Sequence, residues 1–286
     1  MESNLFGMIC DEELDISLFK NYKESLEAYF RAGNFKKVNK KEDLKKLKYL
    51  FIIDEFYGPN LEIWSKRDFI NCLNKLNIKV ININFEKIFS SIFPKNIKIQ
   101  RKLKKIKNLK QFLGDIDDAE KLKKIFISKQ LLSKKSEIKK FYSTKKLDRI
   151  LFLGSCEKNY HPNNAYAKRF KLLEELKKLD LPLDIKIANR KMSYNSYLET
   201  LSKYKYILNP LGTGNFLNVR FYESLEVGSI PIQQVTKNML NKYKELKYAI
   251  TFFDSNDFKK PNKNFLKMDY YLEDYFEEIN LESLII

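Results

Sequence analysis

Histidine is almost missing from this chain: His161 is the single one in 286 residues. Cysteine is nearly as scarce, with Cys10, Cys72 and Cys156 far apart and odd in number. One histidine and no CxxC pair exclude a zinc-type cluster. Scattered, odd cysteines exclude a disulfide framework and point to reduced thiols in a cytosolic setting. No apolar run approaches the about 18 residues of a membrane-spanning helix. The opening MESNLFGMICDEELD is acidic, with no basic stretch leading into an apolar one, so no secretory signal is expected. Glycine is also rare, eight residues in all, so the pair at Gly212 and Gly214 carries information.

What is present is a well-stocked core and much lysine. Hydrophobic residues make up 44% and aromatics 14%, which rules out wholesale disorder, and the length suits one or two domains. The net charge of +17 is unevenly placed: residues 95–146 hold eighteen Lys/Arg against five Asp/Glu. Such a segment either lines solvated helix faces or attracts a polyanion, whether nucleic acid, anionic lipid or acidic glycan.

The two glycines sit in KYKYILNPLGTGNFLNVRFYESLEVGSIPIQQ, Lys203 to Gln234. Tyr206-Ile207-Leu208 reads as a strand that stops at Asn209-Pro210, because proline removes a ladder donor. Glycine then lets the backbone approach a ligand closely. Phe216 to Val227 has helical spacing, with Leu217, Phe221 and Leu225 as the apolar stripe and Gly228 as the stop. Arg220 and Glu223 fall on another side of that helix. They are either a solvated i,i+3 pair or a phosphate grip and a ribose acceptor at an anion-binding helix start.

Around this stretch the chain alternates. Arg149–Leu153, Leu183–Ala188, Ile230–Ile232 and Ala249–Phe253 read as further strands. Helices are expected near 166–179, 194–202 and 237–243, giving a doubly wound sheet whose strand ends gather Gly154, Asn189-Arg190, Gly212 to Gly214 and Gln233. Upstream, Lys48–Ile53 and Ile78–Ile83 flank a helix near Arg67–Leu76, with Asp54 and Glu55 at a strand end. A strand at Phe6–Cys10 and a helix at Leu14–Phe30 precede them. Residues 88–140 read as helical, broken at Pro94 and Gly114, with Asp115, Asp117 and Asp118 capping a helix near Ala119. Ser143–Lys146 reads as a linker and Leu266–Leu281 as an amphipathic helix.

The ending R-x-x-E-x-L-x-x-G-x-I-P, here Arg220, Glu223, Leu225, Gly228, Ile230 and Pro231, resembles that of GT-B glycosyltransferases of the exostosin-like (GT47-type) branch. ILFLGS at Ile150–Ser155, followed by Arg169, is similar to the opening of the same nucleotide-binding domain. The resemblance covers about the last half of the chain. It implies an α/β fold of two Rossmann-like domains with a cleft between them. The divisions would be 1–142, carrying a basic helical segment 95–142, then 147–260, then a tail 261–286 crossing back. It implies a nucleotide-diphosphate sugar, a UDP-sugar first, as donor and no metal. Gly212, Thr213, Gly214 and Arg220 would hold the diphosphate and Glu223 the ribose, with Ser155, Arg169 and Arg190 as further contacts. Arg220 would also serve catalysis, and if the reaction inverts the anomeric centre Asp54 or Glu55 would deprotonate the acceptor; His161 is a further candidate base or donor contact. Through 95–146 the acceptor would be a surface or lipid-linked glycan at the inner membrane face, or a hydroxylated base in DNA. A non-catalytic nucleic-acid-binding protein is the alternative from another class.

Overall fold

Strand β3 (Tyr49–Asp54) is a run of apolar residues with no alternation, and Leu50, Phe51 and Ile52 are all buried. A strand apolar on both faces belongs inside a parallel sheet covered on both sides. The same holds for Leu151, Phe152 and Leu153 of β7 (Leu147–Gly154), each fully buried. The computed structural model describes residues 6–9, 36–38, 40–54, 66–84, 101–126, 138–156, 164–187, 192–212 and 214–259. The chain divides into two compact units, Met1–Leu132 with Glu278–Ile286, and Ser133–Glu277. Among the described residues each unit contains one all-parallel sheet. This is α/β architecture of the doubly wound kind.

In the first unit the described strands are β1 (Phe6–Ile9), β2 (Lys36–Lys37), β3, β4 (Lys79–Asn84), β5 (Leu109–Leu113) and β6 (Ile125–Phe126), ordered β2-β1-β3-β4-β5-β6. Helix α1 (Arg67–Lys75) lays Phe69, Ile70 and Leu73 on the face formed by Leu50, Ile52 and Val80. Helix α2 (Ile116–Leu122) starts at Asp115, whose carboxylate accepts the backbone N–H of Asp117 and Asp118 at 3.1 Å each. The aspartate cluster is therefore a cap, which offsets helix-end donors otherwise left open.

The second unit adds β7, β8 (Leu183–Ile187), β9 (Tyr204–Asn209), β10 (Ile230–Gln234) and β11 (Ile250–Phe252), ordered β8-β7-β9-β10-β11. Numbered within the unit this is 2-1-3-4-5, one of the two common doubly wound orders; the dinucleotide fold has 3-2-1-4-5-6. Alternate residues of β7 go to opposite faces. Ile150 and Phe152 pack with Leu172, Leu173 and Leu176 of α3 (Ala165–Leu176). Leu151 and Leu153 pack with Leu198 and Leu201 of α4 (Tyr194–Ser202) and with Val227. Each such side chain stabilises by about 1.5–3 kcal/mol on burial.

Helix α5 (Val219–Glu226) ends in a Schellman motif: Ser229 N–H donates to Ser224 C=O at 2.8 Å, and Gly228 N–H to Leu225 C=O at 2.9 Å. Gly228 has φ +80°, the left-handed conformation that glycine alone adopts cheaply. Helix α6 (Lys237–Lys242) follows, capped by Thr236.

Three expectations are corrected. Residues 88–140 are not helical throughout, because Leu109–Leu113 and Ile125–Phe126 are strands. Five residues with a lysine among them are too short to display a period, and pairing with β4 decides the outcome. Helix α5 begins at Val219, three residues after Phe216, because Asn218 caps it with its side-chain oxygen on Phe221 N–H. The first unit ends near Leu132 rather than 142: Ile138 and Phe141 pack among Leu151, Leu198 and Ile207 of the second.

The stretch read as a linker is pinned to that unit too. Lys146 Nζ donates to Ser202 C=O at 2.8 Å, Val227 C=O at 2.9 Å and Ser229 Oγ at 3.2 Å. Those carbonyls close α4 and α5, so the ammonium sits at two negative helix ends. Burial nonetheless brings its pKa down to about 8. The expected helices at Leu14–Phe30 and Leu266–Leu281 lie outside the described residues. No helix among the described residues is long and apolar enough to cross a membrane.

Candidate functional site

Strand order alone marks a place in the second unit. The chain leaves β7 toward β8 on one side and returns to β9 on the other, so a crevice opens outside the carboxyl ends of β7 and β9. Gly154 and Ser155 form one lip, Leu211 and Gly212 the other.

Arg169, from α3, spans this crevice. Its Nε donates to Leu211 C=O at 3.2 Å and its Nη1 to Ser155 C=O at 3.3 Å. Its guanidinium lies 5.5 Å from the Tyr166 ring centroid, and a methyl added at Gly212 would stand 3.5 Å from its Nη2. Burial, then the field of Arg220, pulls its pKa down to about 10. Two guanidiniums at one switch point therefore repel each other in a partly desolvated place.

Arg220 enters from the first turn of α5. Its Cζ lies 5.8 Å from the Phe152 ring centroid, and its Nε donates to Tyr197 Oη at 3.3 Å. Its Nη1 is buried and has no hydrogen-bond partner among the described residues. A buried donor without a partner costs about 1–3 kcal/mol, and more when charged. Such a group calls for a partner that the described residues do not supply.

Glu223, one turn on, holds Arg220 from behind. It is only 5% exposed, and its two carboxylate oxygens accept Tyr194 Oη at 2.8 Å and Tyr197 Oη at 2.9 Å. Burial raises its pKa, while the two hydroxyls and Arg220 oppose that rise. Burial and then the Glu223 charge push both tyrosine hydroxyls upward, so they stay protonated donors. The Tyr194 and Tyr197 rings stack at 6.1 Å and 16°. The chain Glu223–Tyr197–Arg220 fixes the guanidinium in place. With both oxygens taken by tyrosine hydroxyls, Glu223 positions Arg220 through Tyr197. Helix α5 is buried on nearly every side from Phe221 to Val227, so its polar residues face neighbours rather than solvent.

Asn218 ties the start of α5 to the sheet, its Nδ2 donating to Asn209 Oδ1 at 2.8 Å; Asn209 in turn donates to Gln233. These groups are engaged with each other and brace the site from below. Gly214 is buried near the same helix start, and Ser155 is exposed at the lip.

Arg169, Arg220, Ser155 and Gly212 are thus brought together, while Gly214 is buried five residues before the start of α5. Thr213, Arg190, Glu55 and His161 lie outside the described residues. Asp54 is the last residue of β3, in the first unit, where it pairs with Asn84 of β4. Tyr194 and Tyr197 were missed. Their only trace is i,i+3 spacing on α4, lost among seventeen tyrosines.

Gly154 is the tightest point. A Cβ there would stand 2.6 Å from Arg220 Nη2 and 3.1 Å from its Cζ. Gly154→Ala is expected to displace the guanidinium without removing any polar group. Overpacking should cost about 1–3 kcal/mol of stability. A thermal melt of the variant against the parent chain checks it. No protein-family model matches the chain, and no curated protein matches it.

Proposed function

We propose that the second unit binds the diphosphate of a nucleotide sugar and that the protein is a glycosyltransferase of the two-domain GT-B kind. The reading rests on one observation: Arg220 Nη1, buried without a partner among the described residues, beside a second guanidinium at the switch point of a doubly wound sheet. A pyrophosphate has the charge to quench the Arg169–Arg220 repulsion and the oxygens to satisfy that donor. Glycine on both lips allows the close approach. The R-x-x-E-x-L-x-x-G-x-I-P resemblance supplies the reaction class.

In sugar transfer the leaving diphosphate gains charge as the glycosidic bond breaks. Donors already aimed at that position stabilise it without reorganising. Arg220, held by Tyr197 and Glu223, is such a donor; Arg169 shares the charge. Asp54, at the carboxyl end of β3, is the proposed base for the acceptor hydroxyl.

A thermal-shift series of uridine, guanosine, adenosine and cytidine diphosphates tests the reading. One of them, at a hundred times its dissociation constant, is expected to stabilise the protein by about 2.7 kcal/mol. The corresponding nucleotide sugar should then be consumed with release of that diphosphate. If none of the four shifts the melt, the proposal is rejected.

A further inference from the structure

The first unit carries a groove of about 590 Å3 whose charged lining is wholly basic: Lys66, Arg67, Lys102 and Lys105. All four are exposed, and Ile70 is the apolar wall beneath them. The nearest acid on α1, Asp68, is engaged elsewhere, 3.6 Å from Lys41 Nζ. The volume is that of a ligand-sized cleft, and clefts lined by one sign of charge concentrate counter-ions.

The cations are mounted on fixed backbone. Lys66 and Arg67 open α1. Lys102 and Lys105 flank Leu103 and Ile106, which are buried in the core with Leu73 and Ile70. Asn74 of α1 locks the two pieces together, its Nδ2 donating to Lys105 C=O at 3.0 Å and its Oδ1 accepting Lys107 N–H at 2.9 Å. The four charges therefore cannot disperse by moving the chain.

Which anion follows from the surroundings. Exposed Lys104 and Lys107 continue the charge past the groove, so the match is to phosphates spread along a polymer. A membrane-docking face would set apolar anchors beside its cations. Among the described residues of this unit, Leu76 is the single large hydrophobic side chain that is exposed. We infer that this groove grips the phosphodiester backbone of a nucleic acid, independently of sequence, through Lys66, Arg67, Lys102 and Lys105. The inference stands apart from the diphosphate site, which lies in the other unit.

Fluorescence anisotropy of the full chain with a labelled mixed-sequence DNA duplex, from 50 to 200 mM salt, provides the test. Four phosphate contacts give a log–log salt slope of about −3.6. The double variant Lys102→Ala, Lys105→Ala is expected to flatten the slope by about two and to weaken binding at least about tenfold. Its circular-dichroism spectrum and melting temperature should match those of the parent chain, showing that the fold is retained. Three results would overturn the inference: no duplex binding, an unaltered slope in the double variant, or binding to phosphatidylserine vesicles without binding to duplex.

Discussion

Arg220→Ala is expected to abolish the diphosphate-induced rise in melting temperature and to lower kcat/KM for sugar transfer by about 10²–10³-fold, about 2.7–4 kcal/mol. The size follows from where the guanidinium is held. Its Nη1 is buried without a partner among the described residues, its Nε donates to Tyr197, and its Cζ lies over the Phe152 ring. A donor desolvated and aimed in advance gains far more from an anion than one in water. Arg220→Lys is the sharper control. It keeps the charge but loses the planar fork that can bond Tyr197 and a phosphate together. Most of the loss should therefore remain in the lysine variant. Isothermal titration with the diphosphate and initial-rate kinetics with the sugar nucleotide read the two effects separately. If Arg220→Ala binds and turns over like the parent chain, Arg220 has no part in the chemistry.

How much of this could be read from residues alone differed sharply between the two units. The second was legible because its strands are short apolar runs ended by unmistakable breakers. Asn209-Pro210 stops β9, and Gly228 stops α5 at a left-handed position. Helix α4 spans Tyr194–Ser202, as its spacing implies. The basic part of the first unit was not legible. Leu109–Leu113 contains one lysine and one glutamine between apolar residues, which suits a helix turn as well as a strand. Only pairing with β4 selects the strand, and that information is tertiary. The site divides the same way. Arginine, glycine and strand ends are visible as residue types at spacings. The burial of Glu223 is not, because a glutamate in a helix is ordinarily solvated. Two hydroxyls from α4 make its burial tolerable, and they are far away in sequence.

Glu223→Ala is expected to cost about 3 kcal/mol of stability, a fall of about 10 °C in the melt of the second unit. The deletion takes the acceptor from the Tyr194 and Tyr197 hydroxyls and the counter-charge from Arg220, so its effect exceeds that of a lost surface pair. Glu223→Gln separates the two roles open to this residue. The amide oxygen still accepts a hydroxyl, and the charge that burial disfavours is gone, so stability at neutral pH should stay close to that of the parent chain. The sign of the pH effect supports this. Burial raises the Glu223 pKa above its unfolded value near 4.3, so the folded chain binds the extra proton between the two values. Its contribution to stability is complete below the unfolded value and is lost as pH rises through the folded one; in Glu223→Gln that slope should disappear from urea-denaturation curves. Binding then decides. A positioning carboxylate can become an amide with little change in diphosphate affinity, because Tyr197 still steers Arg220. A carboxylate that accepted both hydroxyls of a ribose would lose much of it. Equal affinities for the nucleoside diphosphate and for inorganic pyrophosphate, each measured in both chains, would place Glu223 behind the guanidinium. A loss confined to the nucleoside diphosphate would return it to the sugar.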